Sequence, residues 1–477
     1  MRRLTKYEIL LCALFVCSLP LCNPWVRGDG VGYYAFARSL LIEHRLDFSK
    51  DWKAANESFR MGRIDAAGNI RPDEYTATGH LNNHFAVGPA ILWSPFLVVT
   101  HAGVLLYDRL GGKVAADGLS KPYRVAMALG TALYGFLALL ISFSLAQRYV
   151  PERWAFLATL GVWFASSLPV YMYFNPSWSH AHSAFAVSLF LWFWIRTREG
   201  RTTAQWLTLG LIGGLMMDVY YISAILLLLP ALESLAGYWR KVREVPKSPI
   251  VRLFMMNVLF ALALFAAFAP TLITKRIIYG SYWNFGYTEH WFLRSPAFFK
   301  VAFSSDHGLF SWTPILILAV AGLFALRRHD RVLAAYLILV FAVYVYAMGC
   351  YQDWDGISSF GNRFFVSLTS IFILGLAAFM DWFGKLWNER SSAIASASAI
   401  AVLVLWNWGL IFQWGTHLIP ARGPISWREA AYNQCAVVPG EAMHAAETYL
   451  KSRGRLMEQI EKEDVKQLKV GGQRGSQ

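Results

Sequence analysis

The sequence predicts an all-α polytopic membrane protein of about eleven transmembrane helices. Three observations predict it. Of 477 residues, 56% are hydrophobic and only 16% charged, against roughly 25% charged in soluble domains. Apolar runs close to the ~20 residues that cross a bilayer recur from end to end. The basic residues gather in every second connection, as the positive-inside rule requires. The expected spans are 7–22, 123–147, 154–174, 179–195, 204–217, 219–238, 253–274, 309–326, 332–349, 364–383 and 393–414.

Taken in order, the first span follows the basic start MRRLTK. No small-residue cleavage pattern precedes Asn23, so an uncleaved span is expected rather than a signal peptide. Cys12, Cys17 and Cys22 lie in or beside this run, where cysteine acts as a small hydrophobe. Five scattered cysteines exclude a disulfide framework or a zinc cluster. The connections 147–153, 196–203, 240–252, 327–331 and 384–392 hold fifteen Lys and Arg, whereas the turns 175–182, at Asp218 and 350–363 hold only Arg363. That asymmetry puts the N-terminus in the cytoplasm and the C-terminus outside. Residues 23–122 must then start and end on the outer side. Their apolar run 85–107, with two prolines, is expected to be a broken segment that dips into the membrane without crossing. The run 204–238 crosses twice and turns at the outer surface around Asp218. The net charge of +14 belongs to these short connections, so nucleic-acid binding is not expected. Residues 1–414 form the bundle, with long outer loops at 23–122 and 275–308. Residues 415–477 form an extracytoplasmic, partly helical polar tail.

Polar residues of unusual type collect on the outer side. In RGDGVGYYAFARSLL, Asp29 precedes a helix whose apolar residues recur at helical spacing, suited to the membrane interface. Asp29 fits either a helix cap or a chemical role, and its flanking glycines allow a close backbone approach. His180 and His182 share the turn NPSWSHAHSAF, as phosphate or metal contacts or as headgroup contacts. Asp218 stands alone between two apolar runs, as a surface cap or a functional acid. Lys275 and Arg276 leave a span at the head of the aromatic-rich loop, where they snorkel or grip a phosphate. In YQDWDGISSFGNRFF, Arg363 opposes the positive-inside bias and suits anion recognition. Asp353 and Asp355 in the same stretch offer a weak divalent-cation pair.

One carboxylate, imidazoles and cations at a membrane surface suit sugar transfer from a lipid phosphate. An aspartate takes the acceptor's proton, and cations stabilise the departing phosphate. A single displacement of this kind inverts the anomeric centre. On GDGVGYYAFARSLL, HFAVGPAILWSPF, NPSWSHAHSAF, GLIGGLMMDVYYISAILLLLP, DHGLFSWTP and DWDGISSFGNRFF, residues 5–415 resemble the GT-C membrane glycosyltransferases. The resemblance is to the bacterial polyprenyl-phosphate-sugar group, related to protein O-mannosyltransferases and lipid A aminoarabinose transferases. It implies a GT-C-like bundle with periplasmic juxtamembrane helices at 32–46 and 85–107 and a catalytic base at Asp29. His180 and His182 stand where many relatives carry an acid, and Arg363, Lys275 and Arg276 are the candidates for the carrier phosphate. The oligosaccharyltransferase-type signature is absent, which implies transfer of a single sugar. The expected partners are a polyprenyl-phosphate sugar, a lipid, glycan or protein acceptor, and membrane lipids of the bacterial inner membrane. A divalent cation is the one cofactor the residues admit. A lipid-linked sugar transporter or flippase and a polysaccharide ligase or polymerase are the rival readings. The polar groups on one face and the lack of a repeat favour the enzyme.

Overall fold

A computed structural model describes residues 4–59, 62–242 and 248–473; part of the basic connection 240–252 lies outside them. Among the described residues every regular element is helical, joined by three isolated bridging pairs, Ile64 with Ile70, Tyr75 with Leu81 and Trp291 with Tyr351. In chain order the α-helices are α1 (Lys6–Ser18), α2 (Asp29–Arg38), α3 (Ser49–Ala54), α4 (Gly88–Arg109), α5 (Lys121–Ala146), α6 (Glu152–Phe164), α7 (His180–Thr197), α8 (Thr203–Val219) and α9 (Leu228–Val242). They continue with α10 (Ser248–Tyr279), α11 (Phe298–Phe303), α12 (Leu309–Trp312), α13 (Ile315–Leu326), α14 (Arg331–Cys350), α15 (Thr369–Gly384), α16 (Glu389–Gly415), α17 (Trp427–Ala436) and α18 (Val438–Gln473).

Among the described residues, seven helical stretches are long and apolar enough to cross a membrane: Gly88–Arg109, Lys121–Ala146, Tyr221–Arg240, Ile250–Tyr279, Arg331–Cys350, Arg363–Gly384 and Glu389–Gly415. The chain is thus a multi-pass, all-helical membrane protein. Several other expected spans are shorter than read. The run 154–174 stops at Phe164 and resumes as a π-helical turn, Val170–Phe174, because Pro169 cannot continue the α6 hydrogen-bond ladder. The run 309–326 is split by Thr313 and Pro314 for the same reason.

The two ends of the bundle differ chemically, as the charges predicted. At one end, ion pairs lace the basic connections together. Arg153 pairs with Glu389, Arg198 with Asp330, Arg201 with Glu233 at 3.2 Å, and His329 with Asp381 at 3.2 Å. Helices starting there are well capped: Thr202 and Gln205 form a capping box on α8, and Asp330 and Asn388 cap α14 and α16. At the opposite end, the Asn23 amide donates to the Tyr173 carbonyl at 2.6 Å, and Thr131 Oγ1 donates to the Pro176 carbonyl at 2.8 Å. The start of 23–122 and the middle of α5 therefore reach the same turn, while α4 (Gly88–Arg109), expected only to dip into the membrane, is itself long and apolar enough to cross it.

The expected break in 85–107 is absent. α4 is one continuous helix, with Pro89 in its first turn, where a missing N–H is harmless. Pro95 frees the Ile91 carbonyl, and the Ser94 hydroxyl takes it over at 2.7 Å. α4 runs antiparallel beside α5. The contacts are Tyr134 Oη to the Leu92 carbonyl at 3.0 Å, Trp93 Nε1 to Thr131 Oγ1 at 2.8 Å, and His101 Nδ1 with Tyr123 Oη at 2.6 Å.

The first outer helix is also corrected. It is not an interfacial helix with a wet polar face, because every residue of α2 from Gly30 to Arg38 is buried. Arg38 is admitted because Asp51 takes it bidentately, at 2.7 and 2.6 Å, and Glu43 at 3.0 Å. α2 packs with Phe48, Trp52, Trp93 and Tyr123 into a second core beside the main bundle.

The glycines around Asp29 have physical reasons. Gly28 has φ +55°, in the region L side chains rarely adopt, and turns the chain into α2. A Cβ on Gly30 would sit 1.9 Å from Ser177 Oγ, and one on Gly32 would sit 2.0 Å from the Phe85 ring. Gly30→Ala therefore lowers stability by about 1–3 kcal/mol through overpacking. The check is the melting temperature of the purified protein, with Gly103→Ala, which has nothing within 4 Å, as the unaffected control.

Candidate active site

Asp29 is the first residue of α2, and the N-cap position is held by Gly28. The cap reading of Asp29 is therefore set aside. Its Oδ2 accepts from Arg363 Nη1 at 2.7 Å, joining the first outer loop to residue 363. The Asp29 side chain remains 34% exposed, against 11% for Arg363. The carboxylate thus faces an opening while the guanidinium forms its wall.

Trp178 builds that wall. Its ring lies 4.5 Å from Arg363 Cζ, its Nε1 donates to the Arg27 carbonyl at 2.9 Å, and its edge abuts Gly28. Arg27 in turn donates to Asn175 Oδ1 at 3.2 Å from both Nε and Nη2. The turn NPSW is therefore a shelf under the Asp29–Arg363 pair. A planar guanidinium stacked on an aromatic face keeps its in-plane donors available.

Lys275 is buried and reaches in from the side. Its Nζ donates to the carbonyls of Asn83 at 3.0 Å and Phe85 at 2.8 Å, and Tyr221 Oη joins the Phe85 carbonyl at 3.2 Å. This pins residues 83–85, with His84 between the two carbonyls. His84 stacks on Tyr287 with 4.8 Å between ring centres. Burial pushes its imidazole down to about 4, although nearby Asp29 pulls the other way. Burial and the Asp29 charge together push the Tyr33 phenol up. A neutral imidazole and an un-ionised phenol therefore adjoin Asp29.

The other candidates fall elsewhere. His180 and His182 are two residues apart on α7, about 200° around a helix, so they face opposite ways. His180 is buried against Tyr171, Trp178 and Tyr220 at ring distances of 4.7, 6.0 and 5.3 Å, beside the shelf. His182 packs against Trp93 at 4.9 Å and Tyr134 at 5.4 Å in the core, with no hydrogen-bond partner on either nitrogen. The expected joint phosphate or metal contact by the two imidazoles is overturned.

Asp218 is fully buried rather than at the surface. Its Oδ1 accepts from the Thr271 amide at 3.3 Å, just after Pro270 interrupts the α10 ladder. The expected turn falls at Tyr220, which is extended. Lys275 and Arg276 do not leave a span into the loop, because α10 continues to Tyr279. Adjacent residues on a helix point about 100° apart, so only Lys275 turns inward. Arg276 is exposed and closes on the Gly280 carbonyl.

Asp353 and Asp355 are close enough to repel each other, and burial and that repulsion push the Asp353 carboxyl up. Asp355 also gathers with Asp306 and His307, one ligand atom from each lying within 4.8 Å of the others. Asp353 stands outside this group. A separate recess of about 490 Å³ opens at the basic end, between Thr5, Gln147, Arg148, Glu152 and Arg196. It holds none of the residues singled out above.

Among the solved structures similar to this chain are two of one bacterial protein. A crystal structure of ArnT from Cupriavidus metallidurans in the apo state covers 96% of this chain and 77% of its own, at 15% identity and a TM-score of 0.48. A second, of the same protein bound to undecaprenyl phosphate, covers 98% of this chain and 76% of its own, at 14% identity and a TM-score of 0.46. No family model matches the sequence, and no curated protein matches it.

Sequence reasoning missed Trp178, His84, Asp306 and His307 as members of the polar clusters. His84 carried a signal, since it stands between the Asn82–Asn83 pair and an apolar helix. Trp178 carried none, because aromatic residues are common throughout this chain.

Proposed function

We propose that this chain is an inverting glycosyltransferase that moves a single sugar from a polyprenyl-phosphate donor to an acceptor at the outer face of the inner membrane. The observation that carries the reading is the Asp29–Arg363 pair, 2.7 Å apart and open on the Asp29 side. It lies at the end of the bundle away from the basic connections. By the positive-inside rule that end is extracytoplasmic and the N-terminus cytoplasmic.

The chemistry follows from the two groups. Asp29 accepts the proton of the acceptor hydroxyl as its oxygen bonds to the anomeric carbon. The bond from that carbon to the phosphate oxygen breaks with its electron pair, and the phosphate leaves with the added charge. Arg363 has a planar fork of five donors, so one edge holds Asp29 while another receives the phosphate. His84, half-buried, and His180, buried, lie beside the pair and shape the sugar pocket. Attack opposite to the leaving phosphate inverts the centre.

In this reading Lys275 positions the 83–85 segment rather than gripping phosphate. Lys275→Met leaves the buried Asn83 carbonyl without its donor, at about 1–3 kcal/mol, and leaves the Phe85 carbonyl to Tyr221 alone. The expected outcome is a lower melting temperature and a lower kcat with an unchanged donor KM. A raised donor KM at unchanged stability would assign Lys275 to the phosphate instead.

The test is incubation of purified protein with labelled polyprenyl-phosphate hexoses and pentoses and a membrane extract. Label is expected to pass from the prenyl lipid to a lipid, glycan or protein fraction. A flippase would leave the sugar–phosphate bond intact while moving it across reconstituted vesicles. A ligase or polymerase would use only preformed glycan chains.

A further inference from the structure

We infer that Asp306, His307 and Asp355 form a divalent-cation site that ties the turn before α12 to the 350–363 loop, behind Arg363. The three residues come from two separate outer connections, so the site is a cross-link between them. Their ligand atoms lie within 4.8 Å of one another, and small side-chain rotations bring them to the roughly 2.0–2.2 Å at which nitrogen and oxygen bind zinc.

His307 supplies the independent observation. Its side chain is 0% exposed, with Nδ1 3.5 Å from Asp306 Oδ1. Both of its ring nitrogens, and Asp306 Oδ1, are buried without a hydrogen-bond partner. The ring also lies near the Asp355 backbone, without the geometry of a completed hydrogen bond, and a buried imidazole left so is costly unless something absent from the protein itself satisfies it. An ion between one ring nitrogen and two carboxylates satisfies His307 and Asp306 together. One nitrogen and two oxygens favour zinc or manganese over calcium or magnesium, which prefer all-oxygen sets.

The site lies next to Arg363 without touching the reacting groups. Asp355 precedes Gly356, where a Cβ would fall 3.2 Å from Arg363 Nε and 3.3 Å from its Cγ. His307 also rests on Trp312 at 5.1 Å between ring centres, and Trp312 packs on Phe360 at 5.3 Å. The three ligands are therefore positioning residues that hold the loop carrying Arg363.

The experiment uses the full-length protein in detergent, stripped with chelator and then exposed to zinc or manganese alone. Bound metal is counted by mass spectrometry after gel filtration. The wild type is expected to retain one equivalent and gain melting temperature. Asp355→Asn and His307→Gln, which keep shape, are expected to lose both the ion and the gain while eluting as folded protein. A wild type that retains no ion overturns the site, and so does undiminished retention by either variant. Because the readout is bound metal, it stands or falls independently of the sugar-transfer reading. The wild-type measurement decides the matter even if a variant fails to fold.

Discussion

Asp29→Asn abolishes sugar transfer and leaves the bundle folded and inserted. The substitution keeps the shape and removes the one group placed to take the acceptor proton. General-base catalysis contributes about 10²–10⁴-fold, so the residual rate should fall to the limit of a standard assay. The Asp29 side chain is 34% exposed while Arg363 is buried. Loss of that ion pair therefore lowers stability, because a buried guanidinium is left without its carboxylate, but one half-exposed contact does not decide whether the bundle folds. Donor binding should persist, because Arg363 keeps its fork and gains a free edge. Initial rates with a labelled donor, alongside gel filtration of the purified variant, decide the point. A wild-type rate in Asp29→Asn would remove the base from the mechanism.

Arg363→Lys weakens donor binding rather than restoring it. Lysine keeps the charge but presents a point donor in place of the fork, and it loses the flat contact with Trp178. A lysine ammonium that satisfies Asp29 has no second edge for the phosphate. Hydrogen bonds to charged groups contribute about 1.5–3 kcal/mol, which corresponds to roughly a 10–100-fold loss of donor affinity. Arg276→Lys, on the exposed face of α10, should leave affinity unchanged. Equal donor affinity in Arg363→Lys and wild type would mean that the phosphate binds elsewhere.

The fold was legible in the sequence where a single physical rule dominates. Hydropathy marked most spans, and the alternation of basic connections sorted the two ends, because desolvation of charge acts on each residue by its own chemistry. The same rule implied that 23–122 starts and ends on one side with no crossing between, whereas α4 within it is long and apolar enough to cross. Continuity of α4 was not legible, since Pro95 reads as a breaker until Ser94 is seen to satisfy the Ile91 carbonyl. Burial of α2 was not legible either. Its Arg38 reads as a polar face until Asp51, thirteen residues on, pairs with it in space.

The candidate site shows the same division. Asp29 and Arg363 were each conspicuous by local chemistry, and the structure joins them across 334 residues of chain. Their partners depend on packing that no local pattern encodes. The two histidines of α7 looked like one cluster but point apart, because the helix continues through them. Asp355 lies closer in function to Asp306 and His307 than to Asp353, its neighbour in sequence. Lys275 looked like a surface cation until α10 proved longer than its apolar run.

The most direct measurement of the central claim is a structure of the protein in lipid discs with a polyprenyl phosphate bound. The account predicts the phosphate within hydrogen-bond reach of Arg363, about 3 Å, with its free side toward Asp29. A phosphate seated out of reach of Arg363, for example in the recess beside Arg148 and Arg196 at the basic end, would contradict it.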